Sequence, residues 1–204
     1  MIILGLTGSI GMGKSTTANM FKDAGIPVYD SDASVHALYG PEGEATKLIS
    51  ADFPNVTNEA GGIDRTKLGL IVLKDDAAMK RLEAIVHPLV FKTRQAFVSK
   101  HKSAKSPLIV FDVPLLFETG SETFVDKVLV VTAPQEVQLK RVLERKGMTE
   151  EKFKSILKKQ MPDTEKRSRA DFIIDTSLGI EAAQKEVNLI IKKLTDLNTK
   201  NVVN

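Results

Sequence analysis

The chain has no cysteine, which excludes disulfides, thiolate metal sites and thiol nucleophiles and accords with a reducing compartment. It has no apolar run near the roughly 18 residues needed to cross a membrane. Its N-terminus lacks the basic segment and small-residue cleavage site of a secretory signal, so a soluble, cytoplasmic protein is expected. Aromatic residues are scarce, with nine Phe and two Tyr, and they do not interleave with basic residues as a single-strand nucleic-acid platform requires. No repeat or low-complexity tract interrupts the sequence.

What is present suits a globule. Of 204 residues, 42% are hydrophobic and 27% charged, enough apolar material to bury a core and to fill one large domain or a core domain with insertions. The formal charge is only +3, but residues 140 to 169 carry eleven Lys or Arg against five Asp or Glu. A basic block in an otherwise slightly acidic chain points to an anionic partner, a nucleic acid or a small polyphosphate, unless it is simply a solvated helix face.

Short, branched, mostly apolar runs at 2 to 7, 108 to 113, 127 to 132 and 172 to 175 suit strands buried on both faces. IPVYD, residues 26 to 30, is a further strand. Helical spacing follows at 14 to 24, 134 to 146 and 179 to 197, the last with Ile180, Ala183, Val187, Ile190, Ile191 and Leu194 on one side. Strands alternating with helices predict an α/β fold, a parallel five-stranded sheet sandwiched by helices. Two segments exceed such a core: a mostly helical stretch from about 32 to 104 and the basic stretch from about 141 to 169.

Between the first strand and the first helix, Gly8, four residues, Gly13, Lys14 and Ser15 spell G-x-x-x-x-G-K-[ST]. Glycines let a loop turn its N–H groups inward on phosphate oxygens, and the following helix N-terminus adds a favourable dipole. Lys14 then reaches the β- and γ-phosphates, and the Ser15 hydroxyl can bind Mg²⁺.

A phosphate cradle does not by itself choose among nucleotide enzymes. A GTPase would carry N-K-x-D near its fourth strand, where this chain has APQE after KVLVVT. A motor ATPase needs a longer chain. A small-molecule kinase needs only the core, an acceptor-binding insertion and a lid that excludes water.

YDSD, residues 29 to 32, ends the second strand, and ligands of parallel sheets bind at the carboxyl ends of strands. A carboxylate there can align an acceptor hydroxyl with the γ-phosphate and take its proton late. Asp32 is the candidate; Asp30 suits either a helix cap before Ser31 or a metal-linked water.

These residues carry a resemblance over nearly the whole chain. LTGSIGMGKST at 6 to 16, VYDSD at 28 to 32, VHPLV at 86 to 90, DVPLLFE at 112 to 118, the basic segment and ADFIIDTS at 170 to 177 are similar, in order and spacing, to the dephospho-CoA kinase family. The resemblance implies transfer of the ATP γ-phosphate to the ribose 3′-hydroxyl of dephospho-CoA, the last step of coenzyme A synthesis, with Mg²⁺ as cofactor. It implies a P-loop kinase core (1 to 32, 105 to 140 and 170 to 204), a helical acceptor domain (33 to 104) and a helical lid (141 to 169). It places ATP on Gly11, Met12, Gly13, Lys14, Ser15 and Thr16, and the catalytic aspartate at Asp32. The H-P pair, His87 and Pro88, falls on the acceptor side, although a histidine before a helix-starting proline also suits a core. Asp112 resembles a Walker B aspartate that holds a metal-bound water. Leu115 to Glu118 resemble an acceptor-lining loop, with core packing the rival reading.

Arg141 and Arg145 are four apart on the expected helix and share a face. They could present two planar forks to phosphate, Arg141 toward ATP and Arg145 toward the acceptor, with Arg169 closing from the other side. Gly147 and Pro162 are candidate lid boundaries, the lysines at 152, 154, 158 and 159 read as solubilising charge, and Thr176 and Ser177 fall where the ATP base would sit. The rival kinase class acts on nucleoside monophosphates and carries more acceptor-side arginines than the three here, Arg65, Arg81 and Arg94; the rival outside enzymes is a nucleic-acid binder using the basic block. The expected partners are ATP and dephospho-CoA, without nucleic acid or membrane, on a monomer.

Overall fold

A computed structural model describes the backbone of residues 1 to 200 and side chains through 196. The last four residues of the expected core segment 170 to 204, and the side chain of Leu197 at the end of the expected helix, lie outside the described residues. In chain order the elements are β1 (Ile2–Thr7), α1 (Lys14–Asp23), β2 (Val28–Asp30), α2 (Ser31–Leu38), α3 (Glu44–Asp52), α4 (Arg65–Val72), α5 (Asp76–Ser103), β3 (Leu108–Asp112), β4 (Lys127–Thr132), α6 (Gln135–Leu143), α7 (Glu150–Leu157), α8 (Asp163–Ser168), β5 (Phe172–Asp175) and α9 (Ile180–Lys200). The chain divides into two compact units, Met1–Tyr29 with the chain from His101 onward, and Asp30–Lys100.

In the first unit the five strands form one sheet in the order β2-β3-β1-β4-β5. β1 runs parallel to β3 and β4, and β4 parallel to β5, with Leu6 opposite both Asp112 and Leu129. All five residues of β3 are buried, as an unbroken apolar run requires when both sheet faces are covered. One face packs Leu4, Leu108, Leu129 and Ile174 against Phe21 of α1 and Ala183, Val187 and Leu194 of α9. The other packs Val128 and Val130 against Leu116 and Phe117. Each fully buried leucine stabilises by about 1.5–3 kcal/mol, so this core fixes the ends of the strands from which the functional loops depart. The expected helix over 134 to 146 stops at Leu143, and Gly147 takes φ +77° in the turn before α7.

The second unit is helical. Its core joins Leu38 of α2, Ile49 of α3, Leu68 and Val72 of α4, and Ala78, Leu82, Val86 and Leu89 of α5. Pro88 does not begin a helix but lies inside the 28-residue α5. A proline there removes a donor to the carbonyl of Ala84, but Ala84 is exposed, where water can satisfy it, and the buried stripe from Ala78 to Leu89 holds the helix through the interruption. His87 is exposed rather than a core histidine.

Candidate active site

The loop after β1 is shaped by packing from outside as much as by its own glycines. Gly11 has φ +79°, and a Cβ on it would stand 2.6 Å from Val142 Cγ2 of α6, so the loop backbone and α6 can approach this closely only with glycine there. Gly13 is the N-cap of α1 and offers no side-chain cap, which leaves first-turn N–H groups free of a capping side chain at a helix end that favours anions. Ser15 and Thr16, in that first turn, are exposed.

Lys14 Nζ donates to Asp112 Oδ1 at 2.6 Å, with side chains 16% and 6% exposed. The pairing of Leu6 with Asp112 brings the end of β3 level with the start of the loop, so two residues 98 apart meet at one sheet edge.

Two glutamines grip the loop at a single residue. Buried Gln138 of α6 donates from Nε2 to the Ile10 carbonyl at 2.7 Å, and Gln160, just after α7, accepts from the Ile10 N–H at 3.1 Å. Both polar groups of Ile10 are thereby held, by Gln138 just before the basic segment and by Gln160 within it. Nothing local in the sequence marks either glutamine for this role.

Arg141 donates to Thr176 Oγ1 at 2.8 Å and to the Thr176 carbonyl at 2.9 Å, while Thr176 Oγ1 also donates to the Met12 carbonyl at 2.9 Å. A cavity of about 240 Å³ is lined by Gly11, Gly13, Thr16, Arg141, Arg145, Thr176 and others. Arg141 and Thr176, expected near ATP, and Arg145, expected toward the acceptor, thus share one space with the loop. A second cavity of about 600 Å³ is lined by Ser9 and Met12 and, from the basic segment, by Leu157 and Gln160 to Asp163.

The segment after β3 anchors the far end of the basic block. Glu118 Oε1 accepts from the Met161 N–H at 2.8 Å and lies 2.8 Å from Nζ of Lys166, which is fully buried. That contact is an ion pair. Burial alone would raise the Glu118 carboxyl; the charge and contact of Lys166 and the Met161 N–H outweigh it and hold the carboxyl below its ordinary value. Arg169 is engaged here too, donating to Glu122 Oε1 at 2.6 Å and lying over the Phe117 ring at 4.4 Å. Leu116 and Phe117 are core residues, whereas Leu115 is 38% exposed. Lysines 152, 154, 158 and 159 are exposed.

In the second unit, Asp30 is the N-cap of α2, its carboxylate accepting from the Ala33 N–H at 2.9 Å, which assigns it the cap of its two expected uses. Asp32 follows, exposed, in the first turn of α2. His87 lies on the exposed side of α5. The first unit therefore brings together Gly11 to Thr16, Asp112, Arg141 and Arg145, with Leu115 three residues beyond Asp112 in the chain, while Asp32 and His87 belong to the second.

Among the described residues no group of three or more His, Asp or Glu could hold a metal ion unaided. The available donors, the Ser15 hydroxyl and the Asp112 carboxylate, fit a magnesium ion that takes most of its ligands from water and nucleotide phosphates. No helix of the described residues is long and apolar enough to cross a membrane.

A family model described as dephospho-CoA kinase matches residues 2 to 182. A dephospho-CoA kinase of Mesorhizobium japonicum is 60% identical over 194 residues, covering 95% of this chain and 97% of its own. One of Agrobacterium fabrum is 54% identical, covering 95% and 98%. Among solved structures, TT1252 from Thermus thermophilus aligns with a TM-score of 0.80 at 34% identity over 95% of this chain and 97% of its own. A dephospho-CoA kinase from Campylobacter jejuni aligns with a TM-score of 0.70 at 28% identity over 96% and 98%.

Proposed function

The chain belongs to the dephospho-CoA kinase family, and from that premise we propose that it transfers the γ-phosphoryl group of ATP to the ribose 3′-hydroxyl of dephospho-CoA, giving coenzyme A and ADP. The bond from the γ-phosphorus to the β–γ bridging oxygen breaks, a bond to the 3′-oxygen forms, and the hydroxyl proton leaves to a carboxylate. Asp32 is the proposed carboxylate. It aligns the hydroxyl and accepts the proton late, since positioning matters more than basicity in a loose transition state.

The observation that carries the reading is the glycine loop whose uncapped helix start stands beside the Lys14–Asp112 pair. Loop N–H groups and Lys14 hold the β- and γ-phosphates, and Arg141, with Thr176 beside it, borders the nucleotide. Leu115, His87 and Arg145 are proposed on the acceptor side, Arg145 from a position next to Arg141 that suits a phosphate shared by both substrates. Magnesium, held through Ser15 and an Asp112-bound water, would neutralise charge on the phosphate oxygens. Residues 141 to 169 act as a lid that keeps water, the competing acceptor, from the γ-phosphate.

Coupled ADP release tests the reading with Mg²⁺ATP and a panel of dephospho-CoA, AMP, CMP, adenosine and shikimate. Turnover is expected with dephospho-CoA alone. Turnover with AMP or CMP and none with dephospho-CoA would overturn it.

A further inference from the structure

The second unit contains a cleft of about 430 Å³ lined by Asp32, Ala33, His36, Ala37 and Arg65. Two independent pieces of local structure build it. Asp32 and His36 are four residues apart on α2 and so lie on one side of that helix, roughly 6 Å apart. Arg65 comes from elsewhere in the chain, as the first residue of α4.

The delivery of Arg65 to α2 is fixed by backbone contacts. Thr57 and Ile63 form an isolated antiparallel bridge, the Ile63 N–H donates to the Tyr39 carbonyl at 2.8 Å, and the Asp64 N–H donates to the Val56 carbonyl at 2.7 Å. Gly62 packs so closely on the end of α2 that a Cβ there would lie 2.9 Å from the Tyr39 carbonyl oxygen. Asp64 then caps α4, accepting from the N–H groups of Thr66 and Lys67 at 2.9 and 3.1 Å. The side chain that follows this cap is Arg65. Its charge is felt at the Tyr39 hydroxyl, where burial raises the pKa and the nearby guanidinium partly offsets that rise.

The three arginines of this unit have different employment. Arg81 pairs with Asp52 at 3.2 Å and lies over Phe53. Arg94 lies over the Phe91 ring at 5.4 Å. Arg65 forms no ion pair among the described residues, although it shares a cleft with the carboxylate of Asp32, and it is exposed, as is His36. A guanidinium held by a braced loop and an imidazole one turn along α2, both beside Asp32 and with their donors unspent, suit an anionic group of the molecule whose hydroxyl Asp32 aligns.

We propose that Arg65 and His36 bind the diphosphate of the acceptor, and so select a nucleoside that carries a 5′-diphosphate ester over the bare nucleoside. This rests on the phosphoryl-transfer reading above. In such an acceptor the diphosphate is joined to the same ribose as the reacting hydroxyl, separated from it by a few bonds, so a hydroxyl at Asp32 brings the diphosphate into the cleft that Asp32 shares with the two donors. Arginine suits this task because its planar fork makes paired, charge-assisted bonds to phosphate oxygens.

Steady-state kinetics of wild type, Arg65→Met, Arg65→Lys and His36→Gln test the proposal, with adenosine, which lacks the diphosphate, as an inhibitor competing with dephospho-CoA. Arg65→Met is expected to raise KM for dephospho-CoA by about tenfold or more, the effect of losing a charge-assisted bond. KM for ATP and the inhibition constant of adenosine should stay within twofold. Arg65→Lys should recover part of the loss, and His36→Gln should raise the same KM by a smaller factor. Because Arg65 and His36 are exposed, unchanged thermal midpoints are expected. An unchanged KM for dephospho-CoA in Arg65→Met, or equal losses for dephospho-CoA and adenosine, would overturn the assignment. A wild-type enzyme that does not turn over dephospho-CoA at all would instead overturn the reaction on which it rests.

Discussion

Lys14 Nζ lies 2.6 Å from Asp112 Oδ1, so the loop lysine is held by an acid at the end of the neighbouring strand. The pair keeps a cation at the loop without leaving its charge unmatched in a mostly buried place. In the proposed mechanism the ammonium would serve the triphosphate, and Asp112 would hold magnesium through a bound water. Lys14→Met is expected to cost about 100- to 1000-fold in kcat, the usual loss when one donor to developing charge is removed. Asp112→Asn should keep nucleotide binding within a few-fold while lowering kcat and raising the Mg²⁺ concentration needed for half-maximal rate. Undiminished kcat/KM in Lys14→Met would remove the proposed role of the loop.

Asp32→Asn separates positioning from binding. The carboxamide keeps the shape and loses the proton acceptor, so turnover is expected to fall by about 100-fold or more, with calorimetric affinity for Mg²⁺ATP nearly unchanged. Full activity in this variant would take Asp32 out of the mechanism.

The hold on Ile10 predicts different outcomes for its two glutamines. Gln138→Leu strands a carbonyl beside a buried side chain at a cost of about 1–3 kcal/mol; this should appear as a raised KM for ATP. Gln160 binds the loop from within the segment proposed as a lid, so Gln160→Ala should loosen that segment. Limited proteolysis in the turns around Gly147 and Pro162 is then expected to speed up without substrates and to return to wild-type protection when ATP and dephospho-CoA are both present. Equal cleavage of both proteins under both conditions would contradict the latch.

Much of this was legible in the sequence because local chemistry decided it. The branched runs became β1, β3, β4 and β5, the G-x-x-x-x-G-K-[ST] loop leads into α1, and Asp30 caps α2 as an aspartate before a helix often does. What stayed hidden depends on contacts between distant residues. Gln138 and Gln160 reach Ile10 across 128 and 150 residues, and neither has a spacing that announces it. Lys166 belongs to a basic block that reads as facing an anionic partner or else solvent, yet it is fully buried against Glu118. Pro88 carried a genuine local signal, a helix start, that the buried stripe of α5 overrode. That Arg65 and His36 share a cleft was hidden, because it depends on how the loop after Thr57 folds back on Tyr39.

The Glu118–Lys166 pair predicts a pH-dependent part of stability. Glu118→Gln leaves a buried ammonium without its counter-charge, at a cost of about 3 kcal/mol, which for a chain of this size is a fall in Tm of roughly 6 to 12 °C. Because the folded carboxyl titrates below its ordinary value, its contribution is complete above the unfolded value near pH 4.3 and is lost as pH falls through the lower folded one. The difference in Tm between wild type and variant should therefore be constant at neutral pH and shrink on acidification below about pH 4. A difference that widens with acid would contradict the pairing.

The most direct test of the account follows phosphorus through one reaction. With Mg²⁺ATP and dephospho-CoA, phosphorus NMR and mass spectrometry of the products should show one phosphate monoester on the ribose 3′-oxygen for each ADP formed. ADP released with inorganic phosphate in place of that ester, or the phosphate found on another atom, would contradict it.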